Sequence, residues 1–162
     1  MVAPVPHEIP GSAGRPAPVV DIRRGRPQDA DAVARLIVRE NTRPADAAEI
    51  ERYLTQAPSV VAVVDGEIVG TIYSRQFSPD ILEWRNGLVA AEYRRRGIGR
   101  SLVEHMEEES RRAGYRALIG VNCWKHKGAT QERASAARAF WRAMGWTIVF
   151  ATDGSAVLIK HL

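Results

Sequence analysis

The sequence predicts one α/β domain, with a mixed β-sheet of about six to seven strands and about four flanking helices. Short apolar runs rich in valine and isoleucine, typical of buried strands, alternate with segments whose apolar residues recur every three or four positions. A chain of 162 residues that is 45% hydrophobic is long enough for one hydrophobic core and short for two. No internal repeat is present in the sequence.

The first predicted elements are a strand and two helices. Residues Val19 to Arg24 form a short strand-like run. Pro27 suits the first turn of the helix that follows, whose core-facing positions recur at helical spacing at Val33, Leu36 and Ile37. A second helix is predicted from Pro44 to Leu54.

A β-hairpin is predicted next, because Asp65-Gly66 stands between two β-branched runs within residues 59 to 76. A further strand, about Ile81 to Ala90, leads into a loop of arginines and glycines. The remaining predicted elements are a helix from Ile98 ended by Gly114, a strand from Ala117 to Asn122, a helix from Ser135 to Met144 ended by Gly145, and strands from Thr147 to Ala151 and from Ser155 to Lys160.

Composition argues against several classes of protein. Residues 1 to 18 hold five of the nine prolines and few large apolar side chains, so we expect a disordered tail before a domain of residues 19 to 162. We expect a cytoplasmic protein, because the sequence has neither the apolar stretch of a signal peptide nor a membrane-spanning run of about 18 apolar residues. No metal is expected, because Cys123 and the four histidines lack metal-ligand spacing.

The net charge of +4 does not by itself favour nucleic-acid binding. Seven arginines fall between Arg94 and Arg116, whereas a nucleic-acid surface typically spreads its basic residues along a stripe. The position of this charge is therefore more informative than its total.

The segment Arg94-Arg95-Arg96-Gly97-Ile98-Gly99 predicts an anion site, because it joins a strand to the start of a helix. The first N–H groups of a helix and the positive end of its dipole attract anions. Glycines let an anionic group approach the backbone, and the arginines, with Arg100, raise the local potential. A pyrophosphate is the expected guest.

Two other phosphate-binding loops fit this segment poorly. A P-loop is excluded because the chain holds no G-x-x-x-x-G-K-[ST] sequence. A Rossmann loop would need a third glycine where Leu102 stands, and it would come earlier in the chain.

The stretch LVAAEYRRRGIGRSLVEHMEEESRRAGY resembles the cofactor-binding strand, turn and helix of the GNAT superfamily of N-acetyltransferases. A second stretch, ARAFWRAMGW, is similar to the other signature of that family. The resemblance extends over about residues 19 to 162. It implies a GNAT fold whose sheet is splayed between its fourth and fifth strands, and a monomer or homodimer that uses acetyl-CoA.

The resemblance also implies which residues bind acetyl-CoA. The pyrophosphate would lie on the amides of the turn, and the pantetheine arm would bond to the strand before it. A backbone N–H near Val89 would polarise the thioester carbonyl. The cofactor-binding residues implied are Leu88, Val89, Arg94, Arg95, Arg96, Gly97, Ile98, Gly99, Arg100, and, from the second signature, Ser135 and Trp141.

Catalytic residues are less well defined by the resemblance. The family often places a glutamate near the positions of Arg85 and Asn86, so the nearest carboxylate, Glu83, becomes the candidate base. Trp141 stands where many relatives have an acidic tyrosine, and its indole N–H is no useful proton source at neutral pH. Tyr93, Ser135 or water then become the candidates for protonating the thiolate.

Two functions remain open at this point. The first is direct acetyl transfer from acetyl-CoA to a primary amine of an unidentified acceptor, without a covalent enzyme intermediate. The second is an acyl-CoA sensor or interaction domain of the same fold with little or no turnover. The loop Trp124 to Lys127 stands where such a family would select its acceptor.

Overall fold

The computed structural model describes residues 19–41, 44–123 and 131–162. The predicted tail of residues 1–18 and the predicted selection loop of residues 124–127 lie outside these residues. A 3-10 helix at Pro27–Asp29 precedes α1, and another at Ala91–Tyr93 precedes α3. The main elements are β1 (Val20–Arg24), α1 (Ala30–Asn41), α2 (Ala47–Gln56), β2 (Ser59–Val64), β3 (Glu67–Ser78), β4 (Ile81–Val89), α3 (Ile98–Arg112), β5 (Ala117–Cys123), α4 (Gln131–Ala143), β6 (Thr147–Ala151) and β7 (Ser155–His161).

All seven predicted strands and four predicted helices are confirmed, with the largest shifts at the starts of two helices. The second helix begins at Ala47 rather than Pro44, because the Asp46 carboxylate caps it by accepting a hydrogen bond from the Ala48 N–H at 2.9 Å. The fourth helix begins at Gln131, before the predicted Ser135. The hairpin is confirmed, since Asp65 (φ 49°) and Gly66 (φ 83°) both have the positive φ that a type I′ turn requires.

The strands form one mixed sheet in the order β1-β2-β3-β4-β5-β7-β6, and its helices cover both faces. On β3, a Cβ added to Gly70 would lie 2.9 Å from Leu102 of α3, so this position faces α3. Tyr73, three residues further along the strand, faces the other way and stacks on Tyr53 of α2. The side chains between these layers include the fully buried Val60, Val61, Val69, Leu82, Leu102, Met106 and Leu118.

The parallel pair β4–β5 separates part of the way along. The two strands are paired only from Ile81 opposite Ala117 to Trp84 opposite Gly120. Beyond that point β4 stays paired with β3 up to Val89, while β5 stays paired with β7 up to Cys123. The predicted splay between the fourth and fifth strands is therefore confirmed, and it opens a gap in the middle of the sheet.

Candidate active site

A cleft of about 510 Å³ lies where β4 and β5 separate. Its walls come from both strands, from the N-terminal turns of α3 and from α4. It also reaches the α1 side of the sheet, so it passes through the sheet from one face to the other. The residues that line it include Glu40, Asn41, Trp84, Arg85, Asn86, Gly87, Leu88, Val89, Arg94, Gly99, Val121, Asn122, Ala137, Phe140 and Trp141.

The edge of β4 that faces this gap carries backbone groups outside the β3–β4 ladder. The Ala90 N–H donates to the Val69 carbonyl of β3 at 2.8 Å. Because backbone groups alternate in direction along a strand, the N–H groups of Val89 and Gly87 point away from β3, toward the gap. The same alternation directs the backbone of Leu88 toward Thr71, so Leu88 offers the cleft its side chain rather than the backbone bond predicted for it.

The first turn of α3 forms the end of the cleft near Val89. Gly97 caps this helix with φ 81° and ψ −9°, a left-handed conformation that favours glycine. The first intrahelical bond joins the Ser101 N–H to the Gly97 carbonyl, so the N–H groups of residues 98 to 100 have no partner within the helix. No side chain caps this end, and its first turn holds no acidic residue. The geometry suits a bound anion, as the sequence predicts.

Gly97 is suited to its position by its positive φ, whereas Gly99 is suited to its position by the space that it leaves open. Gly99 lies within α3, and the nearest side-chain atoms to an added Cβ would be 3.9 Å away on Phe140 and 4.0 Å away on Val89. The protein therefore leaves open the space in which a Cβ would fit, and this space faces the cleft.

Arg94 is held by the protein itself. Its Nε donates to the Val89 carbonyl at 2.9 Å, and its guanidinium pairs with Glu40 at 2.7 Å. Glu40, whose side chain is 7% exposed, also accepts the Ala91 N–H at 3.1 Å. This clamp fixes the loop between β4 and α3. Sequence reasoning missed Glu40, because 54 residues separate it from Arg94 and no local pattern links the two.

The other loop arginines are exposed. Arg95 adopts φ 65°, which is uncommon for a residue with a Cβ and marks a sharp turn of the loop. Arg96 lies over the Tyr93 ring, with 5.4 Å from its guanidinium carbon to the ring centre. Arg95, Arg96 and Arg100 leave their charges at the surface beside the helix start. Their predicted contact with a pyrophosphate stays a prediction.

Aromatic rings form one wall of the cleft. Trp141 of α4 meets Trp84 of β4 edge to face, with 4.8 Å between ring centres, and it meets Phe140 in the same way at 5.0 Å. Trp146 packs against both tryptophans, and its indole N–H donates to the buried Glu107 carboxylate at 3.3 Å. A Cβ at Gly87 would lie 2.7 Å from the Trp84 ring, so glycine is required there. Trp141 thus supplies an apolar surface at the cleft.

Glu83, the predicted base, is paired with two arginines. Its carboxylate pairs with Arg75 and, at 3.1 Å, with Arg85, and it is not among the residues that line the cleft. A β-bulge places Glu83 opposite Arg75: Tyr73 pairs with Asn86 and Ser74 with Trp84, so Arg85 is an extra residue on β4. The Glu83 carboxylate therefore lies between two guanidinium groups, and its role as the base stays a prediction.

Tyr93 and Ser135 are the two side chains predicted to protonate the thiolate, and neither is among the residues that line the cleft. Tyr93 is half-buried against the core beneath Arg96 and does not line the cleft. Ser135 lies on α4 with an exposed side chain, whereas Ala137 of the same helix lines the cleft. The roles of both hydroxyls stay predictions.

Asn86 is a buried polar residue that lines the cleft. The sequence drew attention to this position only because it holds no carboxylate. It is 4% exposed, and its Nδ2 donates to the Tyr73 hydroxyl at 3.4 Å. Beside it, burial is the largest influence on Arg85 and would lower its pKa, but hydrogen bonding and charge from Glu83, aided by Tyr53, raise that pKa above its usual value. Arg85 therefore stays charged.

Two further features concern the described residues as a whole. None of their helices combines the length and apolar character needed to cross a membrane. Within the same residues, histidine, cysteine, aspartate and glutamate side chains form no group of three or more that could hold a metal ion.

The chain matches one protein family over more than half of its length. Residues 56–148 match the family model described as an acetyltransferase (GNAT) domain. This stretch exceeds half of the 162 residues and contains β4, the α3 start, β5 and α4. No curated protein sequence matches the chain significantly.

Solved structures share the fold at low sequence identity. The ribosomal-protein-S18-alanine N-acetyltransferase of Escherichia coli superposes with a TM-score of 0.72 and 19% identity, over 88% of this chain and 94% of that chain. The Escherichia coli GNAT family N-acetyltransferase YhbS, solved in complex with CoA, gives 0.70 and 18%, over 91% and 84%. The putative acetyltransferase YncA of Salmonella typhimurium, solved with its cofactor acetyl-CoA, gives 0.67 and 16%, over 89% and 94%.

Proposed function

The chain belongs to the GNAT acetyltransferase family, and from that premise we propose that it transfers an acetyl group from acetyl-CoA to a primary amine. The observation that carries the proposal is the cleft through the splayed sheet, which adjoins the uncapped start of α3. Similar folds solved with CoA or acetyl-CoA support it. We include in the proposal a cytoplasmic monomer or homodimer that needs no metal.

The residues present fit acetyl-CoA at two places. The amides of residues 98 to 100, with Gly97 and Gly99 beside them, would hold the pyrophosphate against the positive end of α3. The gap-facing backbone of Gly87 and Val89 would bind the pantetheine arm as an added strand edge. The flat apolar side of Trp141 would cover the arm from α4.

When bound, acetyl-CoA supplies an activated thioester that a neutral amine can attack. The Val89 N–H faces the gap and would donate to the thioester oxygen as negative charge develops there. A C–N bond forms and the C–S bond breaks. The amine proton passes to water, and the sulfur leaves as a thiolate that solvent protonates. Positioning in the cleft supplies much of the rate in this scheme.

The acceptor class is open to a direct screen. The name of the similar Escherichia coli enzyme suggests one candidate, a peptide that begins with alanine. Lysine, spermidine and benzylamine represent the side-chain, polyamine and aromatic classes. A cleft that opens on the α1 side of the sheet, away from the apolar wall, leaves room for an acceptor to arrive opposite the cofactor.

A second candidate function is an acyl-CoA sensor with little turnover. Two observations favour it: the Glu83 carboxylate is paired with two arginines, and position 141 holds a tryptophan where many relatives have a tyrosine. It shares the cofactor site and differs only in turnover.

Two measurements test the proposal and separate the candidates. Isothermal titration should give binding of acetyl-CoA and CoA, and a free-thiol assay should give acetyl-CoA-dependent release with at least one amine of the screen. Binding without release from any amine would favour the sensor. Absence of heat with both nucleotides would overturn both candidates.

A further inference from the structure

A buried amide at the cleft lacks part of its hydrogen bonding. Asn86 lines the cleft and is 4% exposed. Its Nδ2 has the Tyr73 hydroxyl as a partner, but among the described residues no group bonds to its Oδ1. An unsatisfied buried acceptor lowers the stability of the fold, so its retention calls for an explanation.

The place of Asn86 on β4 determines from which face of the sheet its Oδ1 can reach a bound ligand. Asn86 directly precedes Gly87, whose backbone faces the gap, and it follows the bulge residue Arg85. It lies on the face of the sheet that carries α2, opposite to the face where Trp84 packs on Trp141. The cleft joins these two faces. Asn86 is therefore on the side from which an acceptor would approach the proposed thioester position.

We propose that Asn86 is an acceptor-binding residue, whose Oδ1 accepts a hydrogen bond from the N–H of the attacking amine. This inference rests on the proposed acetyl transfer. A primary amine brings the donor that Oδ1 lacks. An amide oxygen cannot serve as a base, so the amine must arrive neutral and its proton must leave through water.

Tyr73 acts as a positioning residue for this amide. Its hydroxyl accepts from Nδ2 at 3.4 Å, which turns Oδ1 away from the hydroxyl and leaves it available. The Tyr73 ring is itself held by stacking on Tyr53, with ring centres 5.5 Å apart and planes 15° apart. The orientation of the amide is thus set by the contact between α2 and β3.

A bisubstrate probe tests the inference without turnover. In CoA alkylated with N-propyl bromoacetamide, an amide N–H stands close to where the amine would attack. The wild type should bind this probe more tightly than CoA, and the ratio of the two affinities is the gain. In Asn86→Ala this gain should fall about 3- to 10-fold, the value of one neutral hydrogen bond, while CoA affinity stays unchanged. In Tyr73→Phe the gain should fall by a smaller factor.

Matched measurements separate acceptor binding from a structural role. Ser74→Ala is the control, because Ser74 is a fully buried neighbour whose hydroxyl bonds the Pro58 carbonyl. It should leave the gain unchanged. The thermal midpoint of Asn86→Ala should fall no further than that of Ser74→Ala, because the lost hydrogen bond to Tyr73 is offset by the removal of an unsatisfied acceptor. Asn86→Asp introduces a carboxylate and should extend any amine-dependent thiol release to lower pH.

The possible failures are distinguishable. Equal gains in the wild type and Asn86→Ala, or no gain in the wild type, would overturn the role of Asn86. A parallel loss of CoA affinity and thermal midpoint in Asn86→Ala would assign it a structural role instead. If the gain falls in Asn86→Ala but the wild type releases no thiol with any amine, the binding role of Asn86 is supported and the transferase proposal fails.

Discussion

The N-termini of α2 and α3 meet the same electrostatic demand in opposite ways. At α2, Asp46 caps the first turn, and Glu49 adds a second carboxylate there. At α3, the cap is Gly97, and neither a capping side chain nor an acidic residue is present. Both helices begin with N–H groups that need an acceptor.

The difference shows which helix start is completed by the protein and which is open to a ligand. The α2 start stabilises the fold, whereas the α3 start lies on the cleft and exposes its dipole there. Substitutions that exchange these properties should therefore separate stability from acetyl-CoA binding.

The largest effect is expected when α3 is given the kind of carboxylate found at α2. Gly99→Asp should weaken acetyl-CoA binding at least about 100-fold, because a negative charge would lie close to the pyrophosphate. The free energy of unfolding should not fall, since an acidic residue near a helix N-terminus is favourable. Titration calorimetry and urea unfolding measure the two quantities.

Gly99→Ala is the matched control, because it fills the same space without charge. It should weaken acetyl-CoA binding about 3- to 10-fold and raise the free energy of unfolding by about 0.5 to 1 kcal/mol, as expected for glycine to alanine in a helix. Wild-type affinity in Gly99→Asp would place the pyrophosphate elsewhere.

A smaller effect is expected at the clamp that holds the α3 loop. Glu40→Gln removes the charge that pairs with Arg94, so the loop should loosen and acetyl-CoA affinity should fall about 3- to 10-fold. Glu67→Gln is the control, since Glu67 is paired with Arg39 at 3.3 Å but is exposed and makes no contact with Arg94. Equal affinities in both variants would contradict the clamp.

At α2 the expected effect is on stability alone. Asp46→Ala removes the cap on the Ala48 N–H and should lower the free energy of unfolding by about 1 kcal/mol. Acetyl-CoA affinity should equal that of the wild type, measured by the same calorimetry. A change in affinity would show that the two helix starts are coupled.

Asp29, which directly precedes α1, should make the free energy of unfolding depend on pH. Burial, the largest influence on Asp29, would raise its pKa, but hydrogen bonds from Arg23 and the Arg26 N–H outweigh it and hold that pKa below its usual value. A lowered pKa gives stability above the unfolded value of about 3.9, and this stability is lost as pH falls toward the folded value. The unfolding free energies of wild type and Asp29→Asn should therefore differ constantly above about pH 5 and converge below about pH 4.

Local patterns were sufficient for the elements and for the anion-binding turn. Helices and strands follow from apolar periodicity and turn residues, which depend on neighbours in sequence. Gly97 could be predicted on the same basis, because the turn into α3 needs its positive φ. The surroundings of the candidate catalytic residues could not be predicted on this basis. A one-residue bulge at Arg85 changes which β4 side chains reach the cleft, and no pattern in the sequence predicts this bulge.

The sequence by itself determined the sheet with its four helices and the open start of α3, because these depend on short-range backbone geometry and on the family signatures around it. Only the tertiary structure decided what surrounds that start. It joined Glu40 to Arg94 across 54 residues, paired Glu83 with Arg75 outside the cleft, and set Asn86 against Tyr73 inside it. Such pairs form through strand register and helix packing, which bring distant residues together.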